Sequence, residues 1–181
     1  MKRMYPIVVS IFAVLASVLA QAPTDPIEKA LLAAPAQMKA AATVVKWKPD
    51  FTYEVLRKGT NRLVCYDKSG QPGFQFMVEC TSIANLDRAA QNMKFEAIAD
   101  KKASLEAFDA AEKNGTRAKP EFGSVWYHVM GADAEHTRNH MTIAVPGATT
   151  QSLGLPDNNK QGGVWIMNAG TTTAHLMTPG E

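Results

Sequence analysis

The spacing of apolar residues changes repeatedly along the chain, and each change predicts a different element. Asp25-Pro26-Ile27-Glu28 places a capping side chain before a proline at the first helical position, with an acid in the first turn. A helix is predicted to follow, with Ile27, Leu31 and Leu32 on its apolar stripe. Pro35 ends it or opens a second short helix through Gln37, Met38 and Ala42. From Thr43 the residues become β-branched and aromatic, which predicts strands over 44–47, 52–56 and 62–66. Pro49-Asp50 divides the first two, and Gly59-Thr60-Asn61 suggests a tight turn before the third.

A further strand is predicted over 74–80, and then the period lengthens. Ile83, Leu86, Ala90, Met93 and Ala97 fall near helical spacing, giving a helix over about 82–102, with a partner over 104–113 that Asn114-Gly115 stops. The last third returns to short apolar runs over 124–130, 140–145, 164–168 and 173–177, separated by Gly, Pro and Asn. Hairpin-length connections favour antiparallel pairing, so the expected class is α+β: an antiparallel sheet with a helical layer on one face.

Strand alternation then sorts the chemistry. In Val125-Trp126-Tyr127-His128-Val129-Met130, Trp126, His128 and Met130 share one side. If Met141, Ile143, Val145, Val164, Ile166, Ala174 and Leu176 point to the core, then His140, Thr142, Trp165, Met167, His175 and Met177 join that second side. The result is a face rich in His, Met and Trp. Such a face is ordinarily covered by helices, where Met and Trp fill space and histidines find hydrogen bonds. Two chemical uses compete with packing. His140 and His175 on neighbouring strands are candidates for a ligand pocket or for acid–base work near neutral pH, with Asp133, Thr142 and Thr173 as possible neighbours. Alternatively His140, His175 and Met177 form a candidate copper site, because thioether sulfur suits copper better than zinc.

Other motifs exclude more than they offer. Thr150-Gln151-Ser152-Leu153-Gly154 lacks the first glycine of a nucleophile elbow and reads as a loop. No Walker loop or Gly-x-Gly-x-x-Gly is present. His136 and His140 would share a face only on a helix, yet they lead into a predicted strand. Asp133 and Glu135 occupy a polar loop where solvated acids are ordinary.

Charge and the first residues bear on location. Lys2 and Arg3 precede an uncharged, mostly apolar run over 7–19 and the small-x-small triplet Ala20-Gln21-Ala22. Residues 1–22 therefore read as a secretory signal cleaved near Ala22, leaving 23–181 as a single α+β domain, secreted or periplasmic. The apolar run falls short of the roughly 18–20 residues a spanning helix needs, so no membrane span is expected. Cleavage would take Lys2 and Arg3 from the 19 basic residues and bring them level with the 17 acidic ones. No basic excess then remains to attract nucleic acid. In an oxidising compartment the two cysteines, Cys65 and Cys80, most simply form a disulfide around the turn-forming segment 67–73. The rival, a metal or redox pair, ordinarily has closer spacing such as Cys-x-x-Cys.

Several of these stretches carry a resemblance: Ala33-Ala34-Pro35 with Ala41-Ala42-Thr43-Val44, Leu56-Arg57-Lys58-Gly59-Thr60-Asn61, Cys65 and Cys80, and Ala169-Gly170-Thr171 with His175-Leu176-Met177. On these the chain resembles a family of uncharacterised exported bacterial proteins with a signal peptide, one Cys pair and a C-terminal His-Leu-Met segment. The resemblance implies export and the disulfide, and no reaction. In that family the positions of His140 and His175 are also histidine, whereas those of His128 and Met130 usually differ. The functional expectation is a non-enzymatic ligand-binding or structural domain whose partner is a small ligand or protein. The alternatives are a His-dependent enzyme using His140 and His175 and a periplasmic copper-binding protein.

Overall fold

The computed structural model describes residues 25–179, so the signal reading of residues 1–22 lies outside the described residues. The described chain forms an eight-stranded sheet in the order β2-β1-β3-β4-β5-β6-β8-β7. The strands are β1 (Thr43–Trp47), β2 (Tyr53–Arg57), β3 (Leu63–Asp67), β4 (Phe76–Ser82), β5 (Val125–Gly131), β6 (Thr137–Ala144), β7 (Trp165–Met167) and β8 (His175–Met177). Every neighbouring pair is antiparallel except β1 and β3. The helices are α1 (Pro26–Ala30), α2 (Ala36–Lys39), α3 (Leu86–Glu96), α4 (Lys101–Lys113) and α5 (Thr150–Leu153). The α+β class follows. No helix among the described residues is long and apolar enough to cross a membrane.

The expected helical layer is α3 and α4, and the opposite face carries helices as well. Leu86 and Ala89 of α3 pack on Val45, Val64, Tyr66 and Trp126. Across the sheet, Ala30, Leu31 and Ala33 press on Val44, Cys65, Val78 and Cys80. Adjacent residues such as Val44 and Val45 thus enter separate cores, as alternation requires. Asp25 caps α1 as its sequence predicts, accepting from the Ile27 amide at 2.9 Å.

Three local expectations change. The helix expected over about 82–102 ends at Glu96, and its partner starts at Lys101 instead of 104, because Asp100 caps it by accepting from the Ala103 amide at 2.7 Å. The loop reading of 150–154 gives way to one helical turn, closed by a reciprocal cap between Thr149 and Ser152. The break at Gly59 makes no hairpin. There the chain crosses the start of β1, and the Thr60 and Asn61 amides donate to the Ala41 carbonyl at 2.8 and 3.1 Å. A Cβ on Gly59 would lie 2.3 Å from that carbonyl oxygen, so only glycine lets the two backbones approach. The crossing delivers β3 to the far side of β1, which makes that pair parallel.

Cys65 and Cys80 are directly paired across β3 and β4 and joined as a disulfide, with both residues fully buried. Replacing both by alanine is expected to lower the unfolding free energy by about 3 kcal/mol, the chain-entropy value for a loop of this length. Urea denaturation measures it, and an unchanged midpoint would show that the clasp adds nothing.

Candidate functional site

Sheet register converts the sequence faces into rows. Glu79, His128 and His140 lie side by side across β4, β5 and β6. Met77, Met130 and Arg138 form the row on one flank. On the other, Trp126, Thr142, Met177 and Trp165 cross from β5 to β7. Ala144, His175 and Met167 follow one row further on. Every His, Met and Trp assigned by alternation to the second face is on it. Over this face lies a cavity of about 260 Å³, lined by His128, His140, His175, Trp126, Met77 and Met130 among others, with Arg88, Asn92 and Glu96 of α3 forming one wall.

The floor is charged and buried. Glu79, 3% exposed, accepts from the Tyr66 hydroxyl at 2.7 Å and from Lys68 Nζ at 3.1 Å. Lys68 Nζ also pairs with Glu96 at 2.8 Å and lies 4.7 Å from the Phe74 ring centre. Burial alone would raise the Glu79 carboxyl, but the Lys68 ammonium and the bonds from His128 and Tyr66 outweigh it and hold the group far below the usual carboxylate range. Burial raises Glu96, with Lys68 only partly opposing the effect. Burial, then the Glu79 charge, lifts the Tyr66 phenol, which stays a neutral donor.

This floor orients an imidazole. His128 Nδ1 lies 3.1 Å from Glu79 Oε1. An ionised carboxylate only accepts, so Nδ1 carries a proton, and in the neutral ring Nε2 keeps its lone pair. The His128 ring lies nearly parallel to Trp126, centroids 6.4 Å apart, and 5.7 Å from His140 on its other side. His175 is fixed in the same tautomer, because its Nδ1 donates to the Thr173 carbonyl at 2.7 Å. Arg88 positions that turn, donating to Thr173 Oγ1 at 2.8 Å and to the Ala118 carbonyl at 2.7 Å, while Glu112 of α4 accepts from the Thr172 amide. Burial lowers both His140 and His175; at His140 the Arg138 charge adds to it, as a protonated His128 would, and the Thr173 bond opposes it at His175.

His140 and His175 therefore share a cavity but not a row. His140 is opposite His128, whereas His175 is opposite Ala144, roughly 13 Å further along the strand at about 3.3 Å per residue. Met177 lies beside Thr142, between them. Asp133 is in the exposed hairpin loop, where it binds His136 rather than the cavity histidines. Thr142 and Thr173 both line the cavity. Among the described residues no three His, Cys, Asp or Glu side chains group as metal ligands. Sequence reasoning missed Glu79, Lys68, Tyr66 and Arg88. The available signal was a glutamate in mid-strand, flanked by apolar residues on the His-rich side of the alternation.

No family model, curated protein or solved structure matches this chain.

Lys68→Met would leave Glu79 buried without its cation and is expected to cost about 3–5 kcal/mol. Lys68→Met with Glu79→Gln should cost less than the two single changes together, as urea denaturation of the four proteins would show.

A second expectation concerns pH. His140 and His175 take up protons less readily folded than unfolded, so the unfolded chain gains protons first as pH falls through the ordinary value of 6.5. Their contribution is complete above that pH and is lost as pH falls toward the folded values; Glu79 adds a further loss below 4.5. Histidine ring NMR should find His140 and His175 titrating below His136, which Asp133 raises. The order reversed would contradict the burial described.

Proposed function

We propose that the chain is an exported, non-enzymatic ligand-binding protein, and that its ligand occupies the His-, Trp- and Met-lined cavity between the sheet and α3. The observation that carries this reading is the Glu79–His128 bond. Keeping a carboxylate ionised in the interior costs several kcal/mol unless it is well paired, and an apolar core would do the packing equally well. Lys68 and Tyr66 meet that cost, and the product is one imidazole with a fixed tautomer facing a cavity beside Trp126. Export rests on the charge, apolar run and small-x-small triplet of residues 1–22.

The same bond favours a second reading, acid–base catalysis, since a carboxylate-held imidazole is an effective base and His140 and His175 stand by to share the work. Binding is preferred because no hydrogen bond joins a cavity histidine to a hydroxyl among the described residues.

The test is NMR titration with small carboxylates, amines, phosphate esters and aromatic heterocycles. One class should shift the Trp126 indole and the His128 ring saturably, without turnover, and His128→Ala should abolish the shift. Saturable shifts confined to another surface, or none, would sink the reading; conversion of the bound compound would replace it with the catalytic one.

A further inference from the structure

The cavity's donor atoms narrow the ligand further, and the argument rests on the reading of that cavity as a binding site. His128 is oriented from behind by Glu79, which is how ligating histidines are ordinarily held: the far ring nitrogen donates to a carboxylate or carbonyl and the near one keeps its lone pair. His140 faces it across β5 and β6, ring centres 5.7 Å apart, and no hydrogen bond to a described residue restrains it. One ring is thus fixed and the other free to turn toward it. Met130 is two residues from His128 on the same face, and both it and Met77 line the cavity.

Charge adds a second constraint. Around the cavity Lys68, Arg88, Arg117 and Arg138 stand against Glu79, Glu96 and Glu112, so the cluster has no excess of negative charge to draw in a cation. Zinc and the hard divalent ions want carboxylate, thiolate or three histidines, and no such trio exists among the described residues. Two imidazole nitrogens and a thioether suit a soft, singly charged ion, whose desolvation in a pocket without excess negative charge is the least costly.

We propose that the cavity binds one copper(I) ion between His128 Nε2 and His140, with the Met130 thioether as third donor. The site shares His140 with the set suggested by sequence spacing and replaces His175, which lies two rows further along the strand, and Met177, which does not line the cavity. Arg138, whose guanidinium lies 3.8 Å from the Met130 sulfur, is exposed and turns away to release it.

The experiment is anaerobic titration of the purified chain with copper(I) against a chromophoric chelator. One equivalent should be retained, and a sulfur neighbour should be visible in X-ray absorption. His140→Gln is expected to weaken binding about a hundredfold and Met130→Leu about tenfold with loss of the sulfur signal, within the range that ligand-shell changes cause. His175→Gln and Met177→Leu should leave it unchanged. His140 and Met130 are only half-buried, so their variants retain the fold, and circular dichroism checks this. No stoichiometric retention, equal loss in His175→Gln, or zinc held as tightly as copper(I) would each overturn the proposal. If copper fails while an organic ligand still shifts Trp126 and His128, only the metal assignment falls; if neither binds, the cavity is not a binding site.

Discussion

The structure depends on an ion pair that cannot be exposed. Glu79 and Lys68 are each 3% exposed, and neither could remain charged in the interior without the other. Around them four elements are forced into one arrangement. Glu79 itself lies on β4, and Tyr66 from β3, His128 from β5 and Glu96 from α3 each make a polar contact with the pair. Hydrophobic contacts between Leu86 or Ala89 and the sheet would tolerate a shift of α3 by a fraction of a turn. A 2.8 Å contact between Lys68 and Glu96 would not, so the helix that walls the cavity is held in register with the strand that floors it.

A similar constraint acts from the other side of the cavity. Arg88, on α3, spans to the Ala118 carbonyl and to Thr173, and Glu112, on α4, grips Thr172. The short β8 pairs over all three of its residues with β6 on one side and β7 on the other. The Arg88 and Glu112 bonds fix the turn that precedes it and so place His175. Burial brings the Arg88 guanidinium down to about 10, still fully charged near neutrality, so the tie persists.

Much of this was legible in the sequence where period alone decides. Antiparallel pairing preserves the two-residue alternation, so the side on which Trp126, His128, His140, His175 and Met177 appear follows from spacing within each run. Spacing says nothing about which rows line up. That depends on where β6 begins, and it begins at Thr137 because the hairpin closes at Gly131, where a Cβ would strike the His136 carbonyl. Once the hairpin is closed there, His140 meets His128 and not His175. The parallel β1/β3 pair was equally hidden, since a glycine that permits a crossing looks in sequence like one that permits a turn. Met141 shows a third limit. Its alternation suits a core, but the helical segment on that face reaches only as far as β5, and Met141 is left 36% exposed.

The buried charges also shape what the cavity can select. Lys68, Arg88, Arg117 and the exposed Arg138 stand against Glu79, Glu96 and Glu112 around it, so its field does not draw cations from solution. Burial keeps His140 and His175 neutral at neutral pH, and Glu79 fixes the tautomer of His128. A pocket of this kind discriminates by the geometry and softness of its lone pairs and by the flat face of Trp126, and not by charge. The charged floor is compatible with a stable sheet because Glu79 is met by Lys68, Tyr66 and His128, while the Arg88 and Arg117 guanidiniums donate to neutral oxygens of Ala118, Thr173, Gln91 and Asn92, so binding need not supply a partner for any of them.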